Sequence, residues 1–346
     1  MGNRRHFLKS IAIAGIATGL NLSFKGQDKP SFRNKFLHKD DCMKITGTFI
    51  DELSRDMPFH NWGMAEWDKE FKLMKSIGID SIVLPHAGLD MKLLYPSAFL
   101  ASKGLPHPSF DKLDLLLTLA DKWGFTVYCG LYGSSHSPRI PNENLAGINH
   151  ALSSEIWNNY GSRHHSFGGW FIGQEVSVEA RHRLADVIDL CKHCKAISGS
   201  KSIIISPWID GNKLIEESVE EHDSALDYEA QWNEIMSQLS GVVDICTIQD
   251  TSVSDIDCAR FYHSCHLIAQ QHGIKCWGNA ETYDAQMPVR LYSTDFDHLR
   301  LKLSAAKAAR LEKVITYEFS HFMSPQSVCQ SGSCLLDRYK EYFDIS

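Results

Sequence analysis

The sequence predicts a single (β/α)8 TIM barrel, an α/β fold in which eight parallel strands close inside a ring of helices. Three observations lead there. Eight short apolar runs of strand type alternate with segments whose apolar residues recur at helical spacing, a pattern that specifies parallel pairing through right-handed crossovers. The 346 residues, 43% hydrophobic and 22% charged, hold one barrel of about 250 residues with long loops and a short C-terminal helical tail. The first strand leads into Asp51-Glu52-Leu53-Ser54-Arg55, where a doubly wound sheet would carry a Gly-rich phosphate loop. No Pro/Ser/Gly-rich linker or internal repeat divides the chain.

The N-terminus reads as an address. Arg4-Arg5-His6-Phe7-Leu8-Lys9 precedes the mild apolar run Ile11 to Leu22, which matches a twin-arginine export signal and is too short to span a membrane. Residues 1–24 are therefore assigned to the signal, 25–42 to a linker and 43–346 to the barrel. The expected location is periplasmic or otherwise exported, with no stable membrane span once the signal is removed. Oligomeric state is not legible.

The elements follow in order. Met43 to Ile50 alternates as a first strand, and the next helix carries Trp67, Phe71, Met74 and Ile77 as one stripe before Gly78 stops it. Ser81 to Leu84 is the second strand, closed by Pro85-His86. A proline-rich loop leads to a helix from Asp111 to Trp123. Thr126 to Leu131 is the third strand and runs into Tyr132-Gly133-Ser134-Ser135-His136. A helix near Asn142 to Tyr160 precedes the fourth strand, which ends Gln174-Glu175. Leu184, Val187, Ile188 and Cys191 mark the next helix. Ser202 to Ile205 is the fifth strand, followed by Pro207-Trp208-Ile209-Asp210. A helix around Tyr228 to Leu239 leads to the sixth strand, Val242 to Ile248, with Gln249-Asp250 at its end. Ile256 to Gln271 is helical, and the seventh strand starts at Ile274 and ends at Glu281, with Tyr283 just beyond. Phe296 to Arg310 is the next helix. Lys313 to Phe319 is the eighth strand, carrying Glu318 and then His321.

Charge and cysteine usage narrow the function. The net charge is −7, and Arg4, Arg5 and Lys9 supply +3 of positive charge, which leaves −10 for the chain beyond Ser10. Nucleic acid, which is bound by clustered Lys and Arg, is not an expected partner. Cys129, Cys246 and Cys276 fall within strands, where a thiol behaves as a small hydrophobe. Cys191-Lys192-His193-Cys194 has metal-like spacing but lies mid-helix, without a second pair to complete four ligands. Cys329 and Cys334 are spaced for a pairing across a loop that sequence alone does not establish. No metal and no cofactor is expected.

Chemistry is expected where the strands end, because a barrel gathers those ends at one mouth. The groups there are Asp51, Glu52, His86, Tyr132, His136, Gln174, Glu175, Trp208, Asp210, Gln249, Asp250, Glu281, Tyr283, Glu318 and His321, with Trp62 as a further indole available to stack on a sugar face. Desolvating so many polar groups together implies a use. Two carboxyls across one mouth suffice to cleave a glycosidic bond, one protonating the leaving oxygen and the other attacking the anomeric carbon. Glu175 and Glu281, after strands four and seven, are the expected catalytic pair; Trp62, Trp208 and the other strand-end groups are expected to bind substrate. This scheme needs the Glu175 carboxyl raised and that of Glu281 kept low, with Tyr283, Gln249 or Tyr132 available to hold Glu281.

The arrangement resembles the clan of retaining (β/α)8 glycosidases, whose acid/base follows strand four and nucleophile strand seven. The resemblance implies Glu175 as acid/base and Glu281 as nucleophile. That clan carries Asn before the acid/base, whereas this chain has Gln174, whose amide reaches further. Ile45 to Glu52, Asn61-Trp62-Gly63, Gln174-Glu175-Val176-Ser177 and Glu318 to Pro325 are also similar to a family of exported bacterial barrels, a domain of unknown function described as glycosidase-like. That likeness implies an oligo- or polysaccharide substrate.

Two other readings stay open. A metal-dependent isomerase or phosphodiesterase barrel would use His86, His136, Glu175, Asp250 and Glu281 as ligands. A non-catalytic glycan-binding barrel would bind through the same groups without turnover. Within the hydrolases, an inverting enzyme would use Asp250 or Glu318, its carboxyls about 6.5–9.5 Å apart.

Overall fold

The computed structural model describes residues 38–54, 57–133, 145–215, 222–250, 252–284 and 292–346. The segment read as an export signal lies outside them, as does His136.

Eight parallel strands close into a barrel: β1 (Gly47–Phe49), β2 (Ser81–Leu84), β3 (Thr126–Gly130), β4 (Phe167–Ile172), β5 (Ser202–Ile205), β6 (Ile245–Gln249), β7 (Lys275–Asn279) and β8 (Lys313–Thr316). They neighbour one another in sequence order, and β8 pairs with β1 to complete the ring. A helix follows each strand: α1 (Met64–Ser76), α2 (Lys112–Trp123), α3 (Leu145–Ile156), α4 (Leu184–Ile197), α5 (His222–Leu239), α6 (Cys258–Gln271), α7 (Phe296–Ala308) and α8 (Ser331–Tyr342). The expected C-terminal tail helix is α8. Its buried Tyr339 hydroxyl accepts a 2.8 Å hydrogen bond from the Ile45 amide, tying the chain's end to the entry of β1.

Alternation along each strand builds two cores. The inner one takes one side chain from every strand: Phe49, Val83, Tyr128, Phe171, Ile204, Ile245, Trp277 and Ile315. Edge-to-face contacts order it, at 5.6 Å for Phe49–Phe171 and 6.0 Å for Tyr128–Trp277. The outward set packs under the helices; Trp170, for example, is fully buried and donates its indole N–H to Ser198 Oγ at 3.1 Å. Trp170 and Trp277 are thus core residues. Glycine is required where strands crowd. A Cβ on Gly169 would come within 2.0 Å of the Ser202 carbonyl oxygen, and one on Gly130 within 2.1 Å of that of Pro85.

Two helices, α2 and α7, start where the sequence put them, whereas α5 begins at His222, ahead of the expected Tyr228. Asp111 caps α2 by accepting from the Asp114 amide at 2.9 Å, and Asp295 caps α7 from the Asp297 amide at 2.7 Å. The strands are shorter than expected at their C-terminal ends. β4 stops at Ile172, β7 at Asn279 and β8 at Thr316, so Glu175, Glu281 and Glu318 stand in the loops beyond. Pairing ends when the chain turns out of the ladder; the Tyr317–Glu318 peptide is cis, and Phe319–Phe322 is a short helical turn. Small elements that the sequence did not announce line the mouth: a three-stranded sheet of Gly88–Leu89, Lys92–Leu93 and Tyr132–Gly133, and a hairpin of Tyr283–Asp284 with Tyr292–Ser293.

The cysteine expectations resolve simply. Cys191 and Cys194 are buried free thiols on the inner face of α4, and burial pushes both up to about 12. Cys329 and Cys334 are unpaired. No helix among the described residues is long and apolar enough to cross a membrane.

Candidate active site

The mouth of the barrel holds two distinct arrangements. On the side of β2, β3 and β4 lies a cavity of about 600 Å3, within the usual range for a small-molecule site. Pro85, Leu131, Ile172 and Leu190 give it apolar walls, and Gln174, Glu175, His182 and Arg183 are polar liners. Glu175 is solvent-exposed, consistent with its place in the loop after β4. His86, from the turn after β2, also lines the cavity; burial holds its imidazole below the usual histidine range despite Asp51 and Asp90 nearby. Tyr132 is fixed from both ends. Its hydroxyl donates to the Asp90 carbonyl at 2.6 Å, its amide donates to Asn149 Oδ1 at 2.9 Å, and Asn149 Nδ2 donates to its carbonyl at 3.1 Å.

On the side of β6, β7 and β8 the carboxyls are buried. Glu281, 4% exposed, follows β7 and hydrogen-bonds Tyr283. Burial, and then the neighbouring Asp250, push its carboxyl up to about 8, while Lys302 pulls the other way. The expectation that Glu281 sits low is therefore corrected: the resting site favours its protonated form. Lys302 reaches in from α7, its Nζ 3.1 Å from Asp250 Oδ2 and donating to the Glu281 carbonyl at 3.4 Å. Asp250, 3% exposed, is raised by burial against the pull of Lys302. Asp250 is thus the buried counter-ion of Lys302 rather than an open substrate contact.

Between these sides lies the floor of the mouth. Tyr317 packs on the inner core, 5.6 Å from Phe49, and its hydroxyl donates to Asp51 Oδ2 at 2.8 Å. Ser54 Oγ donates to the same oxygen at 2.6 Å, so Asp51 braces the β1 loop. Tyr283 stands 6.3 Å from Tyr317 and 5.4 Å from Phe322. Asn279 follows Trp277 by two residues and faces the same interior, with a buried Oδ1 lacking a hydrogen-bond partner. Gln249 donates to Ser206 Oγ at 3.1 Å beside it.

Several expected substrate ligands hold structural partners in the fold. Glu52 turns outward, accepting from Trp67 Nε1 at 3.0 Å and Lys112 Nζ at 2.5 Å; desolvation raises its carboxyl to about 7 against the pull of Lys112. Glu318 is fully buried and accepts from the Asp51 amide at 2.9 Å, joining the ends of β8 and β1. Asp210 starts the Gly211–Ile215 turn, accepting from the Lys213 amide at 3.3 Å. Trp62 lies 5.4 Å from Phe59 and 5.0 Å from Trp67 in an outer aromatic cluster. His321 stacks on Phe322 at 3.9 Å. Trp208 is half-buried, its amide held by the Val176 carbonyl at 2.9 Å, and is not a liner of the cavity. Among the described residues no group of three or more His, Cys, Asp or Glu is arranged to hold a metal ion.

Sequence reading missed Lys302, Asn279, Tyr317, Asn149, His182 and Arg183. Asn279 and Tyr317 were legible, each two residues beyond an inward-facing strand residue. Lys302 carries no local signal, since a helical lysine is ordinarily solvated.

Comparison with known proteins agrees with this architecture. The family model described as "Domain of unknown function (DUF4434)" matches residues 45–329. A Bacteroides thetaiotaomicron VPI-5482 crystal structure, of a protein provisionally described as an alpha-L-fucosidase, is 40% identical with a TM-score of 0.81, over 94% of this chain and 100% of that one. The Thermotoga petrophila RKU-1 endo-1,4-beta-D-mannanase superposes with a TM-score of 0.55 at 11% identity, over 86% of this chain and 100% of that one. An Eisenbergiella tayi GH2 beta-galacturonidase gives 0.52 at 13% identity, over 86% of this chain and 51% of that one. The two distant likenesses concern the fold alone. No curated protein matches the sequence.

Proposed function

The chain belongs to the DUF4434 family, and on that premise we propose that it is a retaining glycoside hydrolase. The observation that carries this reading is the presence at one mouth of a cavity-lining Glu175 after β4 and a buried Glu281 after β7. Glu175 protonates the departing oxygen, and Glu281 attacks the anomeric carbon to give a glycosyl-enzyme. Glu175, now a carboxylate, then takes a proton from a water whose oxygen bonds the anomeric carbon as the glycosyl–Glu281 bond breaks, releasing the sugar and restoring both carboxyl groups. The attack needs Glu281 ionised, and Lys302 supplies the positive charge that favours this form. Asn279, with its free Oδ1 on the inner face, is available to a sugar hydroxyl. Export through the Arg4-Arg5 signal belongs to the same proposal; fractionation of cells, with and without both arginines, tests it.

One observation favours the reverse assignment: the raised Glu281 carboxyl suits a proton donor, with Glu175 as the attacking group. The pH dependence separates them. With Glu281 as nucleophile, kcat/KM rises as pH climbs through the Glu281 pKa; with Glu281 as acid it falls there. The description of the Bacteroides relative makes 4-nitrophenyl α-L-fucoside the first substrate to try. Glu175→Gln and Glu281→Gln are expected to abolish turnover, and NMR of the first-formed product is expected to show a retained anomer. An inverted product rules out the covalent mechanism, and unchanged turnover in either variant removes that residue from the pair.

A further inference from the structure

We propose that the cavity beside β2, β3 and β4 is the leaving-group subsite and that it receives an apolar aglycone, alkyl or aryl, rather than a second bare sugar. The inference rests on the assignment of Glu175 as proton donor. A proton donor stands against the oxygen that departs, so whatever occupies the space beyond Glu175 is the group that departs. Glu175 lines this cavity and Glu281, which bonds the anomeric carbon, does not. The sugar being cleaved then lies over Tyr317 and Asn279, and its substituent projects between β4 and α3.

The walls give the chemical class. Leu131, Ile172 and Leu190, at most 4% exposed, line the cavity, joined by Pro85 and the half-buried Leu89 and Leu145. Polar liners such as Gln174, Glu175, His182 and Arg183 come from the loop after β4 and the entry to α4, with Gln174 half-buried and the other three exposed. Among the described residues Tyr132 is the one ring lining the cavity apart from the imidazoles of His86 and His182, and its edge is already tied to Asp90. A pyranose site needs a ring face to stack on and hydrogen-bonding groups deep in the walls. Here the deep walls are mainly aliphatic: the buried Asn149 spends its amide on the Tyr132 backbone, His86 is half-buried, and Glu175, His182 and Arg183 are near solvent. That matches an apolar body entering first, with its polar junction to the sugar held at the rim by Glu175. This narrows the oligo- or polysaccharide expected from sequence to glycosides of hydrophobic alcohols.

The test compares methyl and hexyl α-L-fucoside with α-L-fucosyl fluoride, whose leaving group is too small to use the cavity. Each buried methylene is worth about 0.8 kcal/mol, so the wild-type protein is expected to prefer hexyl over methyl by at least tenfold in kcat/KM. Ala146→Trp, which fills the wall formed by the start of α3, should reduce the hexyl-over-fluoride ratio to near that of methyl. Equal rates for methyl and hexyl in the unaltered protein overturn the proposal without relying on any variant. If no fucoside or fluoride is turned over, the fucosidase form of the functional reading fails, and the cavity is judged by 4-nitrophenol binding in ligand-observed NMR. Saturable binding that Ala146→Trp abolishes supports the subsite; no binding, or binding that the substitution leaves intact, removes it.

Discussion

Replacing Lys302 by methionine removes the one cation within reach of two buried carboxyls among the described residues, and the cost follows from the geometry. With Nζ 3.1 Å from Asp250 Oδ2, the Coulomb attraction is about 5 kcal/mol at an effective dielectric constant of about 20. Desolvating the charges takes back several kcal/mol, so the intact pair adds little net stability. Removing one partner is different, because the remaining charge stays buried with its hydration unrecovered. Lys302→Met is therefore expected to lower unfolding stability by about 3–5 kcal/mol. Asp250→Asn in the same chain removes the stranded charge, and the double variant should recover most of that loss. A double-mutant cycle by urea denaturation at pH 7, followed by circular dichroism at constant m-value, reads the coupling directly. The deficit of Lys302→Met should shrink at pH 5, where burial lets Asp250, no longer held down by Lys302, take up a proton. A loss below about 1 kcal/mol, or a double variant whose loss equals the sum of the singles, would refute the account of Lys302 as counter-ion.

Two further outcomes follow from the same electrostatics and hydrogen bonding. Glu281 and Glu52 have carboxyls raised to about 8 and about 7, so the folded protein holds protons that the unfolded chain has released above about pH 4.3. The stability these groups contribute should accordingly be fully present below about pH 4.3 and fall as pH rises to about 8. Each group contributes a slope of about 1.4 kcal/mol per pH unit for as long as it stays protonated only in the folded protein; a melting temperature that rises between pH 5 and 8.5 contradicts this. Asn149→Ala leaves the Tyr132 amide and carbonyl without their partners, which should cost about 2–4 kcal/mol in chemical denaturation, and a loss below about 1 kcal/mol would show that Asn149 does not hold the cavity wall.

The strand pattern was legible because a parallel strand covered on both faces must be apolar along its length, and β2, β5 and β8 are short runs of that kind. The site was legible only in part. Asp51 and Glu52 are adjacent, and alternation requires that they point to opposite sides; sequence could not say which, because the ladder breaks at Ile50. The structure turns Asp51 to Tyr317 and sends Glu52 to Lys112, 60 residues away. Glu318 illustrates the same limit, since a carboxyl at a strand end serves equally to bind sugar or to hold a neighbouring amide, here that of Asp51.

What the sequence by itself determined is the closed barrel and the mouth at which its chemistry must lie, because both follow from apolar periodicity and chain direction. The tertiary structure decided which polar groups share a space and in what state of charge. Glu281 is raised because Asp250 and the packed mouth surround it, and Lys302 answers it from a helix 21 residues further along. Those effects depend on burial and on distances of a few ångströms between residues remote in sequence, which no local pattern encodes.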